Sequence, residues 1–133
     1  MESLLPLLLL ISLTSVIGLT LRAKKGVIKK GSRLKISERE FGGKYGSRLT
    51  ILQFSTTFCS ECRTAKSIVK DVVKDSKDIT YVEVDAESNL DLVRKVDIRS
   101  TPTTLFLDSK GFEIARAKGA PKRDQLIKAI KAI

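Results

Sequence analysis

The stretch "RLTILQFSTTFCSECRTAK", residues 48–66, decides the reading of this chain. It opens with an uncharged apolar run, Leu49 to Phe54, rich in strand formers. Such a run predicts a buried strand. Ser55, Thr56, Thr57 and Phe58 follow, and then Cys59 and Cys62, the only two cysteines present. From Ser60 to Asp75 apolar residues recur three and four apart, at Cys62, Ala65, Val69, Val72 and Val73, which predicts an amphipathic helix. The pair therefore sits where a strand ends and a helix begins.

That position matters chemically. The first backbone N–H groups of a helix have no internal partner, and the helix dipole is positive there. Both stabilise a thiolate. Cys62 falls one turn on, on the same side of the helix, so the two sulfurs can join without unwinding it. This assigns Cys59 as the attacking thiol and Cys62 as the resolving one. Glu61 places a negative charge beside Cys59, which Arg63 and Lys66 oppose. Two other readings of the pair stay open: two core cysteines that do no chemistry, and half of a zinc site. A structural zinc site needs four Cys or His ligands, and this chain has no histidine, so four thiolates from two chains would be required.

Outward from the pair, elements follow in a regular order. "DITYVEVD" alternates and predicts a strand over Ile79–Asp85. "SNLDLVRKVD" reads as a helix. "TTLFLD" and "EIARA" read as a hairpin turning at "DSKG". "PKRDQLIKAIKAI" closes the chain as an amphipathic helix, with Pro121 in its first turn and Leu126, Ile127, Ile130 and Ile133 inward. Upstream, "LKIS" (34–37) reads as a short strand. "SERE" places Ser37 three residues before Glu40, a capping box for a short helix that ends at "FGG". Strand–helix alternation followed by a hairpin predicts an α/β fold with a mixed central sheet covered on both faces.

The 133 residues fit one domain, and the hydrophobic share of 42% argues against a disordered chain. The net charge of +10 is concentrated: Arg22 to Lys35 holds seven basic side chains and no acidic one. The remainder, from Ile36 onward, has 18 basic and 14 acidic residues, which argues against a nucleic-acid-binding face. Just before the basic stretch lies "SLLPLLLLISLTSVIGLTL", Ser3 to Leu21, without a charge. Its length is near the roughly 17–25 residues a membrane-spanning helix requires. There is no basic residue before it and no Ala-x-Ala after it, which favours an uncleaved anchor over a signal peptide. The expected organisation is a transmembrane anchor over 1–21, a basic linker over 22–33 and a folded domain over 34–133. The seven basic residues after the span, against none before it, place the domain on the cytoplasmic side by the positive-inside rule. The extracytoplasmic side is the alternative.

A proline 40 residues beyond Cys62, in "RSTPTTLFLD", completes a pattern. The strand before "CSEC", the "YVEVD" strand, the "TPT" proline and Gly119 in "RAKGAP" together resemble the thioredoxin family over about 34–133. The resemblance implies a thioredoxin-like fold with a cis bond before Pro102. It implies a substrate ledge at Thr101 and Pro102, with Phe58 and Gly119 as groove walls. It also implies protein disulfide or dithiol substrates, a thiol electron donor or acceptor, and no cofactor or metal. The chain departs from the family pattern in four places. Phe58 stands where tryptophan is common, and Ser60-Glu61 replaces Gly-Pro. Gln53 replaces a buried aspartate, and Tyr81 replaces the lysine that pairs with it. These departures keep a second class of function open, an interaction module whose cysteines do not turn over.

Overall fold

The computed structural model describes residues 3–133. Its elements in chain order are α1 (Leu4–Lys24), β1 (Ile28–Lys30), α2 (Glu38–Phe41), β2 (Leu49–Ser55), α3 (Ser60–Val73), β3 (Ile79–Asp85), α4 (Leu90–Lys95), β4 (Thr103–Asp108), β5 (Glu113–Lys118) and α5 (Arg123–Ala132). The five strands form one sheet in the order β1-β5-β4-β2-β3. β2 and β3 run parallel, and the other neighbours are antiparallel. This is the mixed sheet that the sequence pattern predicts.

β2 is buried along its whole length. Because side chains alternate across a strand, it feeds two cores. Leu49 and Ile51 face α3 and α5, where they pack with Val69, Val73, Phe106 and Leu126. Leu52 and Phe54 face α2 and α4, where they pack with Phe41, Leu92, Val96 and Leu105. Helices therefore cover both faces. The α2 capping box is present, with the Ser37 backbone N–H donating to the Glu40 carboxylate at 2.7 Å. Gly42 closes that helix at φ +73°, a conformation that glycine takes without strain.

Three local readings need correction. The stretch 22–33, expected to be a linker, contains β1, which pairs with β5 from Ile28↔Ala117 to Lys30↔Ala115. The strand expected at 34–37 is reduced to a single bridge, Lys35 to Phe112. Pro121 lies before α5 rather than in its first turn, since Lys122 is the N-cap. Of that helix's expected inner face, Leu126 and Ile130 are buried while Ile133 is exposed.

α1 extends three residues past Leu21, carries Pro6 in its first turn and buries none of its side chains. At 1.5 Å per residue its 21 residues cover about 30 Å, the thickness of a bilayer core. A signal sequence near an N-terminus meets the same description. The segment after β1 is tied down: the Gly31 and Arg33 N–H groups donate to Ile114 and Glu113 carbonyls at 3.0 Å. The Ser32 hydroxyl donates to the fully buried Glu113 carboxylate, whose charge Arg116 balances at 2.5 Å.

Candidate active site

β2 ends at Ser55, and four residues later Cys59 caps α3 in an extended conformation. A disulfide joins Cys59 to Cys62, with the Cα atoms 5.2 Å apart. The Cys62 backbone N–H donates to Cys59 Sγ at 3.1 Å. In the reduced chain this donor and the helix dipole favour negative charge on Cys59. The two cysteines differ in access. Cys59 is half-buried, whereas Cys62 is only 4% exposed.

The Thr101–Pro102 bond is cis. The Thr101 hydroxyl lies 3.9 Å from Cys59 Sγ and 3.3 Å from the Thr56 hydroxyl. The Gly119 N–H donates to the Pro102 carbonyl at 2.7 Å, which joins the start of β5's exit loop to the proline. Gly119 has φ +83°, again a glycine conformation. Thr101, Pro102 and Gly119 thus gather beside Cys59. Phe58 adjoins Cys59 in sequence and is 98% exposed.

One cleft contains the disulfide, and a second lies beyond Thr101. The first, of about 240 Å³, is lined by Cys59, Cys62, Arg63, Lys66, Glu83 and Asp85. The other, of about 250 Å³, is lined by Thr101, Gly119 and Glu61 together with Leu21, Lys24 and Lys25 from the end of α1. Sequence reasoning missed this last group. Its only signal is the register of β1 on β5, and "IKK" shows no alternation that would reveal a strand.

Gln53 explains its own burial. It is fully buried, and its amide donates to the Cys62 carbonyl at 2.9 Å and to Ser55 Oγ at 3.0 Å. Its Oε1 accepts from the Tyr81 hydroxyl at 2.9 Å. So the amide holds the first turn of α3 against β2 with its hydrogen bonds satisfied. The Tyr81 hydroxyl is held protonated well above the ordinary tyrosine range, by burial first and by the Glu83 charge second. Glu83 in turn pairs with Lys66 at 3.2 Å across the first cleft.

Comparison with known proteins agrees with this geometry. The sequence model of the thioredoxin family matches residues 34–132. A thioredoxin of Ophiophagus hannah is 28% identical over 86 residues, covering 65% of this chain and 80% of its own length. Among solved structures, thioredoxin-2, described as a component of malaria parasite protein secretion machinery, superposes with a TM-score of 0.59 at 28% identity, over 65% of this chain and 84% of its own. The thioredoxin of Fasciola hepatica superposes with a TM-score of 0.58 at 25% identity, over 65% and 82%. With α1 and β1 lying ahead of the matched region, the chain belongs to the thioredoxin family and is a thiol–disulfide oxidoreductase.

Proposed function

We propose that this chain is a membrane-anchored oxidoreductase that exchanges disulfides with protein partners, Cys59 attacking and Cys62 resolving. The observation that carries the assignment is the asymmetry of the pair: a reachable sulfur at the helix start and a buried one a turn later. Reduced Cys59 attacks one sulfur of a partner disulfide as the thiolate, and the other partner sulfur leaves as a thiolate that takes up a proton. Cys62 then loses its proton and attacks Cys59 Sγ. The bond to the partner breaks, and the Cys59–Cys62 disulfide forms. The partner gains two electrons and the pair loses two; another dithiol returns them. Thr101 and Pro102 form the ledge on which the partner's backbone lies, with Gly119 and Phe58 beside it.

Replacing the resolver tests this. A Cys62→Ser chain should accumulate a mixed disulfide on Cys59 that persists and can be identified by mass spectrometry. If nothing accumulates, and a chain lacking both cysteines behaves identically, the assignment is wrong.

The anchor is α1, supported by its length, its apolar surface and the basic flank after it. That flank favours a cytoplasmic domain, where the pair is kept largely reduced. A membrane-impermeant thiol reagent applied to intact cells after mild reduction should leave Cys59 unlabelled until lysis. Labelling before lysis would put the domain outside.

A further inference from the structure

We infer that the reactive end of the domain is held against the bilayer, so that its partners are proteins whose cysteines lie at the membrane surface. This rests on reading α1 as an anchor. The register of the sheet carries it. Phe54 pairs with Thr103, Thr103 with Lys118, and Ala117 with Ile28. These residues mark one end of the sheet, and Cys59, Pro102 and Gly119 follow or precede them at that end. Ile28 is where the chain arrives from α1. The opposite end carries the β4–β5 turn, with Asp108 beside Leu49.

The join between α1 and β1 is short. Only Lys25, Gly26 and Val27 separate them. Fully extended, that allows no more than about 14 Å between Lys24 and Ile28. The join is also fixed in place. The Gly26 N–H donates to the Lys118 carbonyl at 2.6 Å. A Cβ on Gly26 would stand 2.2 Å from the Ala120 carbonyl oxygen. Leu21, Lys24 and Lys25 consequently wall the cleft that holds Thr101 and Gly119. The end of the spanning helix and the substrate groove share one surface.

Two further features suit that placement. Phe58, beside Cys59 and 98% exposed, is an aromatic side chain of the kind that enters the headgroup region. Lys24, Lys25 and Lys118 line the groove against one carboxylate, Glu61, and anionic headgroups attract that surplus of positive charge. A partner diffusing in from bulk water must enter the gap between domain and bilayer. A cysteine within a few residues of a span or lipid anchor is already there, at high effective concentration. The occupant of the groove is thus a juxtamembrane segment of another membrane protein.

The chain contains no tryptophan, so single replacements report position cleanly. The full chain is reconstituted in phosphatidylcholine–phosphatidylglycerol vesicles containing headgroup-spin-labelled or acyl-brominated lipid. Phe58→Trp should be quenched strongly by the headgroup label and Leu10→Trp by the brominated chains, while Lys110→Trp in the far turn stays bright. If Leu10→Trp is quenched but Phe58→Trp is as bright as Lys110→Trp, the site faces away and the inference is overturned. If all three stay bright, the anchor reading itself fails and the inference falls with it. A second arm uses the Cys62→Ser chain and a lipid-tethered peptide carrying an activated disulfide. Placing that disulfide a few residues from the lipid should give mixed disulfide about tenfold faster than placing it beyond a Gly/Ser spacer of about 30 residues. Equal rates, or a faster distal peptide, would contradict the proposal.

Discussion

The two clefts beside the disulfide are made of different material. The first is internal to the family fold: α3, β3 and the turn from β2 into α3 supply it, Lys66 and Glu83 pair across it, and the Gln53 amide lies buried beneath the same helix turn. The second borrows a wall. Thr101 and Gly119 belong to the region that the family model matches, but Leu21, Lys24 and Lys25 come from upstream of it. The difference teaches where this chain is general and where it is particular. The side that handles the resolving cysteine is built by α3 and the parallel strand pair. The side proposed to meet a partner is shaped by how the chain leaves α1.

Cys59 lines the first cleft and lies 3.9 Å from the Thr101 hydroxyl of the second, so the largest effect is Cys59→Ser. Insulin reduction by the full chain in detergent should fall to the uncatalysed background, a loss of about a thousandfold or more, the scale for deleting a covalent nucleophile. Retained turnover would mean that Cys59 is not the attacking atom.

Gly26→Ala attacks the borrowed wall. The new Cβ meets a backbone oxygen at 2.2 Å in a left-handed conformation. A cost of about 3 kcal/mol is expected, read as a lower denaturant midpoint in micelles. Gly119→Ala sharpens the point. Its Cβ meets Gly26 N at 3.4 Å and nothing closer, so strain at φ +83° is the main cost, about 1 kcal/mol. Equal losses for the two variants would show that the α1 join is not packed as described.

Gln53→Asp attacks the internal cleft. It replaces two donated hydrogen bonds with a buried carboxyl beside the Cys62 carbonyl, at a cost of about 2 kcal/mol near neutral pH. Burial raises a carboxyl's folded pKa above its unfolded value. The penalty is therefore smallest in acid and grows as pH rises past the unfolded value. The same carboxylate can accept the Cys62 proton, so stopped-flow should show mixed-disulfide resolution speeding by about tenfold near neutral pH. An unchanged or slower rate would mean that proton transfer there does not limit exchange.

The smallest effect is Glu83→Gln. Both partners of the Glu83–Lys66 pair are partly exposed and reached by solvent, so stability should move by no more than about 0.5 kcal/mol. Tyr81 should nevertheless respond. Losing the second cause of its shift lets its hydroxyl ionise at lower pH, while burial keeps it above the ordinary range. Tyrosinate absorbance in a Tyr45→Phe background reads this, and an unmoved titration would detach Glu83 from the Tyr81–Gln53 network.

The legible parts of the fold are those whose burial is written into their own residues. β2 reads as a strand because Leu49–Phe54 is uncharged and rich in strand formers, and it is buried on both faces. α2 was announced by its capping box. β1 was illegible because it is an edge strand with one neighbour, and its two lysines face solvent as edge lysines do. Only its register with β5 makes it structure. The bridge at Lys35 fell short of a strand because Arg33, at φ +59°, turns the chain just before it. The same division holds at the site. Cys59, Cys62, Thr101, Pro102 and Gly119 were visible together, through spacing and resemblance. The wall from Leu21 to Lys25 was not, since no local pattern carries a long-range register.

The order in which the two sulfurs react decides the mechanism. Reduced full-length chain in detergent, treated with limiting iodoacetamide and followed by peptide mass spectrometry, measures it directly. Cys59 should be alkylated first, about tenfold or more ahead of Cys62, because the helix start favours its thiolate and burial shields its partner. Equal rates, or Cys62 reacting first, would contradict the assignment.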